Sequence, residues 1–291
     1  MRGFEIEKTG YEIADAKEGL AEKILKVPGI ALVAAGSASC LSALYNAAER
    51  ADALDRLFLC EITPAQYSLG KQGMKIWEAV EHAGKIPGIR GIIIYASCME
   101  VLTMWDFKRE HRGVTCEVPV EILYRGPLVK RHIAPVKELE KIFDDWKIPM
   151  NKGDEAGNQW GCGNVKMKKE EISESEAFRK PQLPYFADEI QKLKDQECDI
   201  LLFTPGGCTG CLRSLPTESL RNVWNTRFTD YALSQGKLKP IAEEILQKFP
   251  EKRPLYLLET EVLRLMGTDL KKVADYLNKA GKETHYIAKR R

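Results

Sequence analysis

At 291 residues the chain is long enough to bury a sizeable core, and its length sets an expectation of about two domains. An apolar fraction of 44% with 30% charged residues is that of a globular chain in water, and 44 Lys and Arg against 42 Asp and Glu leave a net charge of only +2. That balance excludes the strongly basic surface of a nucleic-acid or membrane-surface binder.

No run approaches 18 consecutive apolar residues, and Met1-Arg2-Gly3-Phe4-Glu5-Ile6-Glu7-Lys8 lacks the apolar centre of a signal peptide, so a cytoplasmic location is expected. Eight cysteines in such a chain point to thiol, metal or redox chemistry more than to a disulfide framework.

Residues 1–27 are expected to form a helical segment, Ala14 to Leu25, that covers a sheet or a partner. Ile30 to Gly36 is an apolar run bounded by turn residues, which reads as a buried parallel strand, and Ser37-Ala38-Ser39-Cys40 leads from it into a helix over about 41–52. A second strand, Leu57 to Cys60, ends on a cysteine and is followed by a loop with Pro64 and a helix over about 72–84. Gly91 to Ser97 is the third strand; Cys98 stands just past it, and a helix is expected from about 99 to 111. The strand Val118 to Tyr124 and a helix over about 135–146 complete a Rossmann-like domain over residues 28–147.

Residues 148–183 change character, with little apolar periodicity and a run of Lys and Glu, and read as a linker or surface excursion. They contain Trp160-Gly161-Cys162-Gly163-Asn164, whose glycines either make a turn or let backbone approach a ligand. The pattern then restarts with a helix over about 184–195, the strand Asp199 to Thr204 and the turn Pro205-Gly206-Gly207-Cys208-Thr209-Gly210-Cys211. Gly36-to-Cys40 matches that turn, Tyr67-to-Gly73 is echoed by Tyr231-to-Gly236, and Glu100-Val101-Leu102 with Asp106 by Glu261-Val262-Leu263 with Asp269. A second Rossmann-like domain over 184–291 follows. The fold class is therefore α/β, two tandem Rossmann-like domains with parallel sheets flanked by helices.

Ligands in such sheets bind beyond the carboxyl ends of the strands, which is where Cys40, Cys60, Cys98 and Cys208 fall. Where the first half has Cys60 and Cys98, the second has the neighbourhoods of Thr226 and Glu259. Cys116 and Cys198, beside or within strands, read as small buried hydrophobes. Soft thiolates suit iron–sulfur clusters and zinc, and the spacing of the four strand-end cysteines matches no compact zinc ribbon. Only Cys208-Thr209-Gly210-Cys211 has a two-residue spacer, as a redox dithiol would. Cluster ligation, zinc or dithiol chemistry, and purely structural thiols all stay open at this point.

The order of elements, the first-turn cysteine, the Gln72-Gly73 helix and the strand leading to Ser97-Cys98-Met99-Glu100-Val101-Leu102 with Asp106 resemble the nitrogenase component 1-type oxidoreductases. That group includes the molybdenum–iron protein subunits and the dark-operative protochlorophyllide and chlorophyllide reductases; the chain looks like a short, two-domain member. The turn at Pro205 to Cys208 looks like the family's Gly-Pro-x-Gly-Cys cluster turn, with Thr204 in the first glycine's place. The resemblance implies a 4Fe-4S or larger cubane-derived iron–sulfur cluster on Cys40, Cys60 and Cys98, with Cys208 or Cys211 completing it, and Gly36, Gly206 and Gly207 letting backbone crowd it.

It further implies an ATP-dependent iron–sulfur reductase of the nitrogenase iron-protein type as electron donor, because the chain carries no Gly-x-x-x-x-Gly-Lys-Ser/Thr phosphate loop. A homo- or hetero-oligomer is expected, without nucleic acid or membrane. None of His82, His111, His132 and His285 sits in a motif like the cofactor-binding histidine of nitrogenase proper. Candidates for proton delivery are Glu100, Asp106, Glu259 and Asp230, with helix capping and surface charge as the alternative. Lys71, Lys75 and Arg227 are candidates for charge near the strand-end edge. Two other functions fit the same residues: a scaffold or carrier that assembles a metallocluster, and a metal-free regulatory binding module.

Overall fold

The structure is a computed structural model, and it describes residues 5–9, 19–110, 116–126, 129, 132–149, 181, 183–205, 208–228, 238–250 and 252–288. The chain divides into two units, one of Lys17–Arg125 with Val129–Gln182, the other of Met1–Ala16, Gly126–Leu128 and Leu183–Arg291. Each is an α/β unit whose parallel strands are flanked by helices, as the alternation of strand and helix patterns implies.

The chain starts with a difference. β1 (Ile6–Lys8), ahead of the expected helical segment Ala14 to Leu25, is a strand paired antiparallel with a strand of the second unit in the register Ile6 to Thr226 and Lys8 to Trp224. Ile6 is buried in that unit's core while Glu7 meets Arg227 at 3.2 Å, a period-two alternation too short to stand out in the sequence. Among the described residues the first helix is α1 (Leu20–Leu25), and residues 14–18 of the expected helical segment lie outside them.

The first unit follows with β2 (Ile30–Gly36), α2 (Ala38–Arg50), β3 (Leu57–Glu61), α3 (Pro64–Ser68), α4 (Gln72–Gly84), β4 (Gly91–Ala96), α5 (Cys98–Leu102), α6 (Phe107–Glu110), β5 (Val120–Tyr124) and α7 (Pro135–Asp145). Its sheet runs β3-β2-β4-β5, parallel throughout. All seven residues of β2 are buried, because a central parallel strand is covered on both faces. Ile24, Leu25, Leu41, Ala48, Leu139 and Phe143, from α1, α2 and α7, pack on one face. Ile76, Trp77, Val80 and Ala83 form the buried stripe of α4. Removal from water is worth about 1.5–3 kcal/mol for each large apolar side chain. Gly91 is fixed by packing, since a Cβ there would stand 2.5 Å from the Trp146 ring.

The expected helix over 99–111 is broken in two. α5 ends in a Schellman turn, with Met104 N–H donating to the Val101 carbonyl at 3.0 Å and Trp105 N–H to that of Glu100 at 2.9 Å. Met104 takes the left-handed backbone that this turn demands, φ +52°.

The second unit has α8 (Tyr185–Leu193), β6 (Asp199–Phe203), β7 (Val223–Thr226), α9 (Leu238–Lys248), β8 (Leu255–Glu259), α10 (Glu261–Leu265), α11 (Leu270–Lys279) and β9 (Thr284–Tyr286). Short 3-10 turns occupy Gly210–Ser214 and Thr217–Leu220. The sheet runs β1-β7-β6-β8-β9 and is parallel except for β1. Without β1 this is the strand order of the first unit. Among the described residues no helix is long and apolar enough to cross a membrane.

Candidate functional site

The carboxyl edge of the first unit's sheet gathers three thiols from three adjacent strands. Cys60 lies within β3, paired with Ala35 of β2, rather than past the strand end. Cys40 is in the first turn of α2, and Cys98 is the first residue of α5. Gly36 ends β2 between the two helix starts. A Cβ there would stand 3.2 Å from the Cβ atoms of both Cys40 and Ser97. Ala35 also pairs with Ala96, two residues before Cys98, so all three cysteines flank the same end of β2.

The thiols sit in different settings. Cys60 is buried and donates to the Lys75 carbonyl at 3.5 Å; burial pushes its pKa up to about 12, against the pull of the Lys75 charge, so it is a protonated thiol at neutral pH. Cys40 accepts a long contact from the Ser37 hydroxyl at 3.8 Å. Cys98 is buried. Among the described residues, no three His, Cys, Asp or Glu side chains converge closely enough to hold a metal ion.

Glu100 is fully buried below this edge and is held by three donors. Its Oε1 accepts from the Tyr67 hydroxyl at 2.5 Å, and its Oε2 accepts from both the Ser97 N–H and the Ser97 hydroxyl at 2.7 Å. Ser97 and Glu100 form a capping box, readable as Ser-x-x-Glu, that starts α5 and so fixes Cys98. Burial raises the Glu100 pKa, while Tyr67 and Ser97 pull it back. Asp106 does something else: it is exposed, and its Oδ1 accepts from the Arg109 N–H at 3.1 Å to start α6. Lys71 is the exposed N-cap residue of α4, and Lys75 Nζ donates to the Glu61 carbonyl at 3.2 Å. Arg227 belongs to the second unit, where it holds Glu7 of β1.

The second unit repeats the edge with other chemistry. Phe203 of β6 pairs with Glu259 as Ala35 pairs with Ala96, and Leu202 pairs with Asn225, which brings Thr226 level with Phe203 as Cys60 is with Ala35. Counting on from β6 gives Cys208 the position in the second unit that Cys40 holds in the first. The caps settle the third position. Thr260 is the N-cap of α10 as Ser97 is of α5, and Gly267 (φ +75°) takes the place of Met104. Glu261 is therefore the counterpart of Cys98 in the repeat, and Glu259 that of Ala96. The expected match of Glu259 with Cys98 is off by two residues, because the Glu-Val-Leu common to both stretches aligns the wrong residues.

Glu259 is 1% exposed. Its Oε1 accepts from the Tyr286 hydroxyl at 2.6 Å, its Oε2 is sealed with no hydrogen-bond partner, and the Tyr185 hydroxyl donates to its backbone carbonyl at 2.8 Å. Burial raises its pKa above the usual carboxylate range, with the Tyr286 bond and the Arg264 charge acting the other way. Thr226 replaces a thiol with a hydroxyl that accepts from Thr204 N–H at 2.9 Å and donates to the Thr204 carbonyl at 3.1 Å.

Cys208 and Cys211 share one turn, and both are buried. Cys116 packs beside Gly84 and Cys198 donates weakly to the Leu193 carbonyl at 3.9 Å. His82 lies against Phe58, and His285 stacks on Tyr256 and meets Glu283 at 3.1 Å. Cys162, Gly206, Gly207, Asp230, His111 and the Tyr231-to-Gly236 echo lie outside the described residues. Tyr67, Tyr185 and Tyr286 emerge only from the structure, because each meets its carboxylate residue across a long stretch of chain.

No family model matches the chain, and no curated protein does. Among solved structures the chain is similar to one titled "Nitrogenase Cp1 at pH 6.5", at a TM-score of 0.29 and 12% identity over 92% of this chain and 76% of that one. At that overlap no residue is matched to residue.

Proposed function

We propose that the first unit carries an iron–sulfur cluster on Cys40, Cys60 and Cys98, and that the chain is a nitrogenase-like reductase or its electron-transferring subunit. Its electrons come at low potential from an ATP-dependent iron–sulfur reductase. The observation that carries this reading is the placing of three thiols from α2, β3 and α5 around one strand end, at Gly36. The donor set fits: thiolates are the usual ligands of such clusters, and Gly36 keeps the edge free of a Cβ between Cys40 and Ser97. A cluster core is wider than a single ion, so its ligands need not converge on one point, whereas a mononuclear zinc site requires that they do.

A cluster held there would take up and pass on single electrons. The chain's own contribution is to orient the donors and hold protons. The capping box fixes where α5 begins and hence Cys98; Tyr67 closes over Glu100 and keeps that carboxyl group away from water. Glu259, whose burial favours the uncharged acid, retains a proton to higher pH than an exposed glutamate does.

Iron and acid-labile sulfide analysis of anaerobically purified protein, with electron paramagnetic resonance of the dithionite-reduced state, tests the reading on wild type and Cys98→Ser. About four or more irons per chain with a signal lost or altered in the variant is the expected result. Absence of iron in strictly anoxic protein overturns it. That outcome favours the second reading, a metal-free binding module.

A further inference from the structure

We propose that Cys208 and Cys211 form a redox-active pair that closes to an intramolecular disulfide, with Cys208 as the attacking thiol and Cys211 as the resolving one. The pair is set by local geometry. Cys211 is the second residue of a 3-10 turn that begins at Gly210, and Thr209 precedes it as N-cap. Cys208 lies ahead of that N-cap, so Thr209 (φ −87°, ψ −1°) and Gly210 are the two central residues of a turn from Cys208 to Cys211. Helix-like central residues bring the end Cα atoms of such a turn within about 7 Å, close to the span of a disulfide.

The Cys211 side chain already folds back over its partner residue, with its Sγ 3.9 Å from the Cys208 carbonyl oxygen. Backbone bonds hold the turn on both sides: Cys208 N–H donates to the Pro205 carbonyl at 3.3 Å and Leu212 N–H to that of Thr209 at 2.9 Å.

The two thiols also divide the labour by access. Cys208 is 8% exposed while Cys211 is completely buried among Leu212, Leu215 and Leu220, so an external reagent meets Cys208 first. The internal repeat sets the second thiol apart. Cys208 is the counterpart of Cys40 in the repeat, but the residue three beyond Cys40 is Ala43, so the first unit has the first cysteine of the pair and lacks the second.

The oxidant is a small-molecule disulfide. The Cys208 thiolate attacks one of its sulfurs, releasing one external thiol and leaving a mixed disulfide on Cys208; Cys211 then attacks the Cys208 sulfur, releasing the second. Two protons leave the protein thiols, and two electrons pass to the reagent, which departs as two thiols. The pair stands whether or not Cys208 also ligates a cluster; where it does, closing the disulfide withdraws that ligand.

The test equilibrates the full chain with glutathione and glutathione disulfide over a range of ratios, alkylates the remaining thiols and maps the peptides by mass. Wild type is expected to lose alkylation at Cys208 and Cys211 together, as one disulfide, with no glutathione retained on either. In Cys211→Ser the glutathione adduct on Cys208 becomes the main product at the ratio where wild type is half-oxidised; in Cys208→Ser, Cys211 stays unmodified. The half-exposed Cys116 reports in the same digest that the reagent is active. Full alkylation of Cys208 and Cys211 where Cys116 carries glutathione, or a glutathione adduct persisting on wild-type Cys208, overturns the proposal. Iron content plays no part in the readout, so failure here is separate from failure of the cluster reading.

Discussion

The two units share one strand order and one set of turns, yet the first presents Cys40, Cys60 and Cys98 at the carboxyl edge of its sheet where the second presents Cys208, Thr226 and Glu261. A frame that conserves where side chains are delivered does not dictate which atoms are delivered. Three sulfurs in one unit and one sulfur with two oxygens in the other are alternative fillings of equivalent positions, and the difference locates chemistry more sharply than either unit alone. It also isolates the carboxyl groups. Glu100 in the first unit is saturated with donors, whereas Glu259 in the second has one oxygen bonded to Tyr286 and the other sealed.

The largest expected effect comes from breaking the saturated network. Glu100→Gln replaces an acceptor of three hydrogen bonds with an amide that cannot accept at one of its two ends, leaving Ser97 or Tyr67 unsatisfied in a buried place. A loss of about 2–3 kcal/mol is expected by urea denaturation. A loss below about 1 kcal/mol would show that the capping box does not hold α5. Gly36→Ala comes next. Its new Cβ would stand 3.2 Å from Cys40 and Ser97, and separating them is expected to cost about 1–3 kcal/mol. Thr204, at the equivalent place in β6's continuation, already carries a Cβ, so Thr204→Gly tests whether the tightness belongs to the first edge only.

Glu259→Gln separates the two acids through pH. The folded pKa of Glu259 is raised by burial above its unfolded value near 4.3, so the folded state binds more protons than the unfolded one between those two values. Wild-type stability therefore falls, relative to the glutamine variant, as pH rises from the ordinary carboxyl range through the raised pKa. At low pH the two curves run parallel. The two curves are expected to diverge as pH rises above about 4, the wild type losing stability relative to the variant. Parallel curves throughout would mean that Glu259 ionises normally and is no store of a proton.

Much of the frame was legible because it is written in contiguous residues. The apolar runs at Ile30 to Gly36 and Gly91 to Ala96 became β2 and β4 within a residue, and the likeness of Cys40 to Cys208 holds in the strand register. What failed to show was set by contacts rather than by pattern. The counterpart of Cys98 was misjudged because Glu-Val-Leu occurs in both halves, while the true alignment is fixed by the caps Ser97 and Thr260 and by the left-handed Met104 and Gly267. β1 is three residues long, and its pairing is visible only once β7 is in place. The bonds from Tyr67 to Glu100 and from Tyr286 to Glu259 span 33 and 27 residues, beyond any local periodicity. The break between α5 and α6 was missed because a methionine hides a turn that glycine would have announced.

That methionine gives the smallest and most specific test. Met104 and Gly267 close equivalent Schellman turns: Met104 N–H reaches the Val101 carbonyl at 3.0 Å and Gly267 N–H that of Arg264 at 3.1 Å, with Trp105 N–H and Thr268 N–H reaching back five residues to Glu100 and Leu263 at 2.9 and 3.2 Å. A side chain with a Cβ in the left-handed region costs about 1–2 kcal/mol, and glycine avoids that at the expense of about 0.5–1 kcal/mol in unfolded-chain entropy. The Met104 side chain is 87% exposed and offers little packing in return. Met104→Gly is therefore expected to stabilise the chain by about 0.5 kcal/mol, and Gly267→Ala to destabilise it by about 1 kcal/mol, both read from urea midpoints. If Met104→Gly instead lowers stability, the exposed thioether is packing against something within the folded chain, and the two turns are equivalent in backbone only.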